Sequence, residues 1–144
     1  MRRTDRQLPD HAVFEILDAA AHGTLAMCSP DGPYAVVLNH VRVGNSLYFH
    51  CAHEGHKLDC LAHDPRVCFS AVASARVHAP TSTTLYRSVT AFGTLRRADE
   101  PEARDALRAF CQKFGVPFPA DEFAMPCVLA MEIVQATAKG NEPK

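Results

Sequence analysis

Over positions 11–21 the apolar residues Val13, Ile16, Leu17 and Ala20 fall at i, i+3, i+4 and i+7, the single stripe of an amphipathic helix. Asp10 stands where an N-cap belongs, and Gly23 supplies the stop. From Thr24 the period shortens. Positions 24–28 read as a strand, Ser29-Pro30-Asp31-Gly32 as a turn, 34–43 as a second strand rich in Val, Leu and Tyr, Gly44-Asn45 as a tight hairpin turn, and 46–51 as a third strand. These predict a meander of three antiparallel strands.

A short helix follows over 54–63, with Leu58 and Leu61 inward and Asp64-Pro65 ending it. In 66–73, Val67, Phe69, Ala71 and Ala73 alternate as a strand does. Positions 79–84 are a polar loop, and 85–96 a long strand in which Gly93 marks a bulge or bend. The clearest helix covers 101–114: Asp99 and Glu102 have capping-box spacing, one face carries Ala103, Ala106, Leu107, Phe110, Cys111 and Phe114, and Gly115 closes it. The last strand is 127–136, with Leu129, Met131 and Ile133 opposite Glu132, and the tail from Lys139 reads as loose.

Six strands joined by tight turns, with a few helices, predict a mainly β fold: an antiparallel barrel, closed or nearly so, with helices packed outside. AVVL at 35–38 and LAMEIV at 129–134 are apolar on both faces. In an antiparallel sheet that calls for a second covering layer, a helix or a partner subunit. A homodimer is the favoured reading.

Composition narrows the function classes. The 144 residues fit one domain, spanning 1–144. The formal net charge of −1 gives no global attraction to nucleic acid or to an anionic membrane, so any anion site must be local. No apolar run is long enough to span a bilayer, and MRRTDRQLPDH has arginines without an apolar segment behind them. The expected location is cytoplasmic. The six cysteines include no CxxC pair, and in that compartment most of them read as reduced and structural.

The densest polar cluster is His50, Cys51, His53, Glu54, His56 and Lys57, where a strand hands over to a helix. Free backbone N–H groups at such a point suit an anion, Gly55 permits close approach, and Lys57 and His56 add donors. The competing reading is a solvated, His-rich turn. The histidines at 50, 53 and 56 lack the i, i+4 spacing of a helical metal pair, so a dedicated metal site is not indicated, although a single histidine can ligate a haem iron. Adjacent strand residues point opposite ways, which keeps Cys51 and His50 from forming a dyad. Arg87, in Tyr86-Arg87-Ser88-Val89, needs either a phosphate or a carboxylate in a surface ion pair. No GxSxG, GxGxxG or GxxxxGK[ST] motif occurs.

Four passages, RRTDR at 2–6, PYAVVLN at 33–39, LYFHCAHEGHKL at 47–58 and YRSVTAFG at 86–93, resemble the FMN-binding split-barrel proteins related to pyridoxamine phosphate oxidase, and within them the nitroimidazole-resistance (Nim) branch. The resemblance implies a six-stranded split barrel that dimerises, with FMN at the subunit interface. Val36, Val37, Leu38 and Asn39 would run along the isoalloxazine edge through backbone groups. His50, Cys51, Ala52, His56 and Lys57 would hold the ribityl phosphate, and Arg87, Ser88 and Val89 would close the site. Val37 stands where many relatives have Pro, and Cys51 where a hydroxyl residue is frequent. Lys139-Gly140-Asn141 scrambles their Gly-Lys-x-Asn. Pyridoxamine phosphate oxidase activity itself is not expected, because that enzyme's substrate-phosphate residues are not recognisable. The leading expectation is an FMN-dependent reductase or oxidase of a small molecule, nitroimidazole-reductase-like, with His50 the first titratable group to test as a catalytic residue. The alternatives are a haem-binding or haem-degrading protein on the same barrel and a non-enzymatic ligand-binding module.

Overall fold

A computed structural model describes residues 1–119 and 123–142. The elements run α1 (His11–Ala19), β1 (His22–Ser29), β2 (Gly32–Asn39), β3 (Val41–Val43), β4 (Ser46–Cys51), α2 (His56–His63), β5 (Arg66–His78), β6 (Thr83–Arg97), α3 (Glu100–Phe114) and β7 (Cys127–Asn141). The strands form one antiparallel sheet in the order β2-β1-β5-β6-β7-β4-β3. Its two edges, β2 and β3, are joined by the single residue His40. The sheet must therefore curl until its edges meet, which makes a split barrel.

That curl corrects two expectations. The strand expected over 34–43 breaks at His40, so the sheet has seven strands, and β2 pairs only with β1 rather than with the next strand along the chain. No three-stranded meander forms. The break has a tertiary cause. His40 is fully buried, its Nε2 lies 2.7 Å from Leu17 O, and Lys113 Nζ donates to His40 O at 2.9 Å and to Ala20 O at 2.7 Å. One ammonium thus satisfies carbonyls at the end of α1 and at the joint between β2 and β3.

Gly23 sits inside β1 rather than ending α1, because a Cβ there would lie 2.3 Å from Phe69 Cζ. Asp10 makes no side-chain cap, whereas Asp99 accepts from Glu102 N at 3.1 Å as the capping spacing predicts. At Gly93 the register of β6 on β7 shifts, and a Cβ would lie 1.9 Å from Glu132 O. β5, β6 and β7 all run longer than their sequence patterns, since they pair with one another past the last apolar position. Lys139 to Asn141 are paired with Ser88 to Tyr86, so the tail is strand as far as Asn141, and 143–144 lie outside the described residues.

The interior cluster joins Ile16 and Leu17 of α1 to inward residues of the sheet, among them Leu25, Phe49, Phe69, Val89, Leu129 and Met131. α1 therefore packs into the curl, not outside it. α3 covers outer positions of the sheet, packing Ala103, Ala106 and Phe110 on Tyr48, Val128 and Ala130. It is fastened by Tyr48 OH donating to Glu102 Oε2 at 2.8 Å and by Arg96 on the same carboxylate at 2.6 Å. So α3 is the second layer expected over the first half of β7. Over the rest, Val37, Val72, Phe92 and Val134 stay 62%, 52%, 51% and 75% exposed.

Candidate functional site

The β4–α2 junction leaves backbone N–H groups free at the start of a helix. Gly55 has φ 143°, a conformation open to glycine, and a Cβ there would meet nothing within 4 Å. α2 starts without a side-chain cap. Leu58 N and Asp59 N already donate to Gly55 O at 3.1 and 3.2 Å. The N–H groups of Gly55, His56 and Lys57 have no partner among the described residues and lie at the positive end of the helix. Lys57 is half-buried and makes no ion pair among the described residues, and its charge lies close enough to Cys51 to act on that thiol. The ring of His56 meets Tyr34 of β2 edge-on at 4.5 Å between centroids. Ala52 is exposed at the start of the turn, and His53 Nε2 lies 2.7 Å from Met125 O, which ties the turn to the segment before β7.

Beside this turn, on the α3 side, lies a chamber of about 370 Å³. Leu107, Phe110 and Phe114 of α3 and Phe118 and Phe123 beyond it supply most of the wall, and Asn39 and His50 are the polar side chains that reach it. Among the described residues no charged side chain lines it. His50 points outward to this chamber, its ring 5.1 Å from that of Phe110 and nearly perpendicular to it. Cys51, the next residue, packs against the barrel interior. Arg108 stacks on Phe118 at 4.2 Å, which props the wall from outside. Asn39 Nδ2 donates to Ala21 O at 3.1 Å, holding the end of β2 at the rim.

The structure therefore spreads the predicted residues over four places. Cys51, Ala52, His56 and Lys57 gather at the turn, while His50 and Asn39 share the chamber. Val36 and Leu38 face the interior, Val37 faces out, and the free edge of β2 exposes the backbone N–H and C=O of alternate residues along this stretch. Arg87, Ser88 and Val89 lie elsewhere. His50 is opposite Val128 and Ser88 opposite Lys139, so these clusters flank β7 at opposite ends, roughly 36 Å apart along the strand. Val89 is fully buried in the interior. Arg87 is ion-paired, its Nη2 3.3 Å from Glu15 Oε2 and its Nε 2.9 Å from Glu142 Oε1. The Nε contact is off the hydrogen-bonding direction and acts as a charge pair alone. Of the two readings of this arginine, the carboxylate one describes the isolated chain.

Sequence reasoning missed the chamber. Its signal is a run of Phe114, Pro117, Phe118, Pro119, Phe123 and Pro126 outside any periodic element, more aromatic than a plain connection requires. It also missed Cys127, which stands directly opposite Cys51. Burial and the neighbouring Cys127 thiol push the Cys51 thiol up to about 11. Among the described residues no cluster of three or more His, Cys, Asp or Glu side chains could hold a metal ion, and no helix is long and apolar enough to cross a membrane.

A curled antiparallel sheet whose two edges are joined at His40, with α1 packed into the curl, defines a split barrel. The chain belongs to the pyridoxamine 5'-phosphate oxidase family, whose model matches residues 9–140. No curated protein matches it in sequence. Among solved structures it is similar to the flavocytochrome Anf3 of Azotobacter vinelandii (TM-score 0.81, 20% identity, covering 99% of this chain and 72% of that one). It is also similar to an FAD- and heme-binding protein of Mycobacterium smegmatis (0.78, 23%, 96% and 76%). A third is a candidate 5-nitroimidazole antibiotic resistance protein of Bacteroides thetaiotaomicron VPI-5482 (0.75, 20%, 92% and 85%). At these identities the likeness concerns the fold.

Proposed function

We propose that this protein binds FMN and uses it to exchange electrons with a small, uncharged ring compound seated in the α3 chamber. The observation that carries the reading is the uncapped start of α2 behind Gly55, with Lys57 beside it. Three free N–H groups and an ammonium suit a phosphate. Bound FMN supplies the redox chemistry. Lys57 and the N–H groups of Gly55, His56 and Lys57 hold its phosphate. The free edge of β2 from Val36 to Asn39 offers backbone donors and acceptors to the ring system. Cys51 fills the place of a hydroxyl with a weaker donor.

The chamber then receives the substrate. The described wall, mostly Phe, Leu and Pro, suits an apolar ring, and a charged ligand would find no ionic partner among the described residues. A cavity of ~150 Å³ takes one benzene, so about 370 Å³ admits one or two rings. His50 and Asn39 orient such a molecule by hydrogen bonds, and His50 is the group placed to hold or release a proton. The flavocytochrome and the FAD- and heme-binding protein named above support a redox cofactor on this fold, and the nitroimidazole-resistance protein supports a small ring as substrate.

The functional unit in this reading is a homodimer. The exposed Val37, Val72, Phe92 and Val134 are the cover's footprint. A second copy would bring Arg87 and Ser88 toward the turn, which no single chain does. A haem reading has one observation in its favour: His50 is the histidine of the cluster whose ring opens on an apolar chamber, as an axial ligand's would.

The visible spectrum of the purified protein, before and after adding FMN or haemin, tests the proposal. Flavin bands that survive gel filtration in a species of two chains are expected. A Soret band that survives instead favours haem. No retained chromophore after either addition leaves a non-enzymatic module.

A further inference from the structure

β4 and β7 are antiparallel, and their register sets Cys51 directly opposite Cys127. Ile133 N donates to Asn45 O at 3.1 Å across the same ladder. Hydrogen-bonded pairs recur at every second step, so Cys51 and Cys127 form one of them. Such a pair holds its Cα atoms about 5.5 Å apart, within the span of ~4.4–6.8 Å that a disulfide bridges. Both side chains turn to the interior, Cys127 buried and Cys51 half-buried, and the Cys127 thiol is near enough to act on that of Cys51.

We propose that Cys51 and Cys127 close into a reversible disulfide when the protein meets a hydroperoxide, and that the bond tightens the turn over 52–57. Cys51, the more accessible thiol, attacks the peroxide. Its sulfur takes one oxygen as a sulfenic acid, the O–O bond breaks, and an alcohol or water leaves. The Cys127 sulfur then attacks the Cys51 sulfur, the S–O bond breaks, and water departs with the Cys127 proton. Two thiols lose two electrons and two protons, and the peroxide accepts them.

Geometry makes the bond labile. Cβ atoms of a hydrogen-bonded pair stand about 5–5.5 Å apart, and a disulfide wants ~3.5–4.5 Å. The strands must close by about 1 Å, and a strained bridge of this kind is readily reduced. The raised pKa of Cys51 keeps thiolate scarce at neutral pH, so closure needs a large excess of peroxide. Cys51 is the last residue of β4, and drawing it toward β7 shortens the slack of the turn that follows. This holds whether or not FMN binds there.

The test uses the full chain with Cys28→Ser, which removes the exposed thiol. The protein is treated with hydrogen peroxide, blocked with N-ethylmaleimide, digested and weighed. A linked Cys51–Cys127 peptide pair, two hydrogens lighter than the free peptides and undone by dithiothreitol, is expected. With Cys127→Ser added, Cys51 should stop at a dimedone-reactive sulfenic acid. Full alkylation of both cysteines after peroxide, or linkage of Cys51 to another cysteine, overturns the site. Amide hydrogen exchange over 52–57 should slow several-fold on oxidation in the parent and stay unchanged in the Cys127→Ser protein. Equal exchange in the oxidised and reduced parent overturns the coupling to the turn.

Discussion

Replacing Lys113 with Met keeps most of the side chain's length and removes its charge. Lys113 Nζ donates to Ala20 O at 2.7 Å and His40 O at 2.9 Å, with Leu17 O more distant at 3.4 Å. Each short bond from a charged donor is worth about 1.5–3 kcal/mol, and the acceptors left behind are carbonyls of the buried residues Ala20 and His40. Opposing this, burial already disfavours the ammonium and pulls the Lys113 pKa down, so losing the charge returns part of that penalty. The balance is a loss of about 2–4 kcal/mol. At a urea m-value of ~1–3 kcal/mol/M the unfolding midpoint should fall by about 1–2 M with m unchanged. A second readout comes from His40, whose protonation Lys113 opposes after burial itself. Lys113→Met should therefore raise the pKa of His40 and soften the acid sensitivity described next. A midpoint within about 0.3 M of wild type, with the acid profile unmoved, would refute the view that this ammonium pins the joint between β2 and β3.

Three further outcomes are expected. Burial pushes His40 down to about 4, whereas the unfolded chain titrates near ~6.5; the unfolded state binds the proton that the folded state refuses, so stability present above pH ~6.5 should drain away by about 3 kcal/mol as pH falls toward 4, measurable by urea midpoints across that window. Gly93→Ala puts a Cβ 1.9 Å from Glu132 O in the bulge between β6 and β7 and should lower stability by about 3 kcal/mol or more, whereas Gly55→Ala, with nothing near its Cβ, should lose about 1–2 kcal/mol from the positive φ alone; calorimetry ranks the two. His50→Ala, at an exposed position, should leave the melting temperature within a few degrees and weaken binding of p-cresol more than of toluene in the chamber, measured by calorimetric titration.

Local signals carried most of the fold. The stripe of α1, the cap and stop of α3, the alternation in β5 and the glycine at the β6–β7 bulge each follow from neighbours a few residues away. Long-range causes stayed hidden. Nothing near His40 announces a break, because the bonds that bend the chain there come from Leu17 and Lys113. Gly23 reads as a helix stop until Phe69 occupies the space of its missing Cβ. The turn at 52–57 was legible because its chemistry is contiguous in sequence. The chamber was not, since Asn39, His50 and Phe110 come from three separate elements. YRSV was read as part of the same site, yet in one chain it sits at the far end of β7 with Arg87 held by Glu15 and Glu142.

The most direct test of the account compares FMN with riboflavin, which differs only by the phosphate, in fluorescence-quenching titrations of wild type and Lys57→Ala. If the α2 turn holds the phosphate, wild type prefers FMN by about 10- to 100-fold, the worth of a charge-assisted contact of ~1.5–3 kcal/mol, and Lys57→Ala brings the two dissociation constants close together by weakening FMN alone. Equal affinity of wild type for FMN and riboflavin, or a preference that survives Lys57→Ala undiminished, would contradict it.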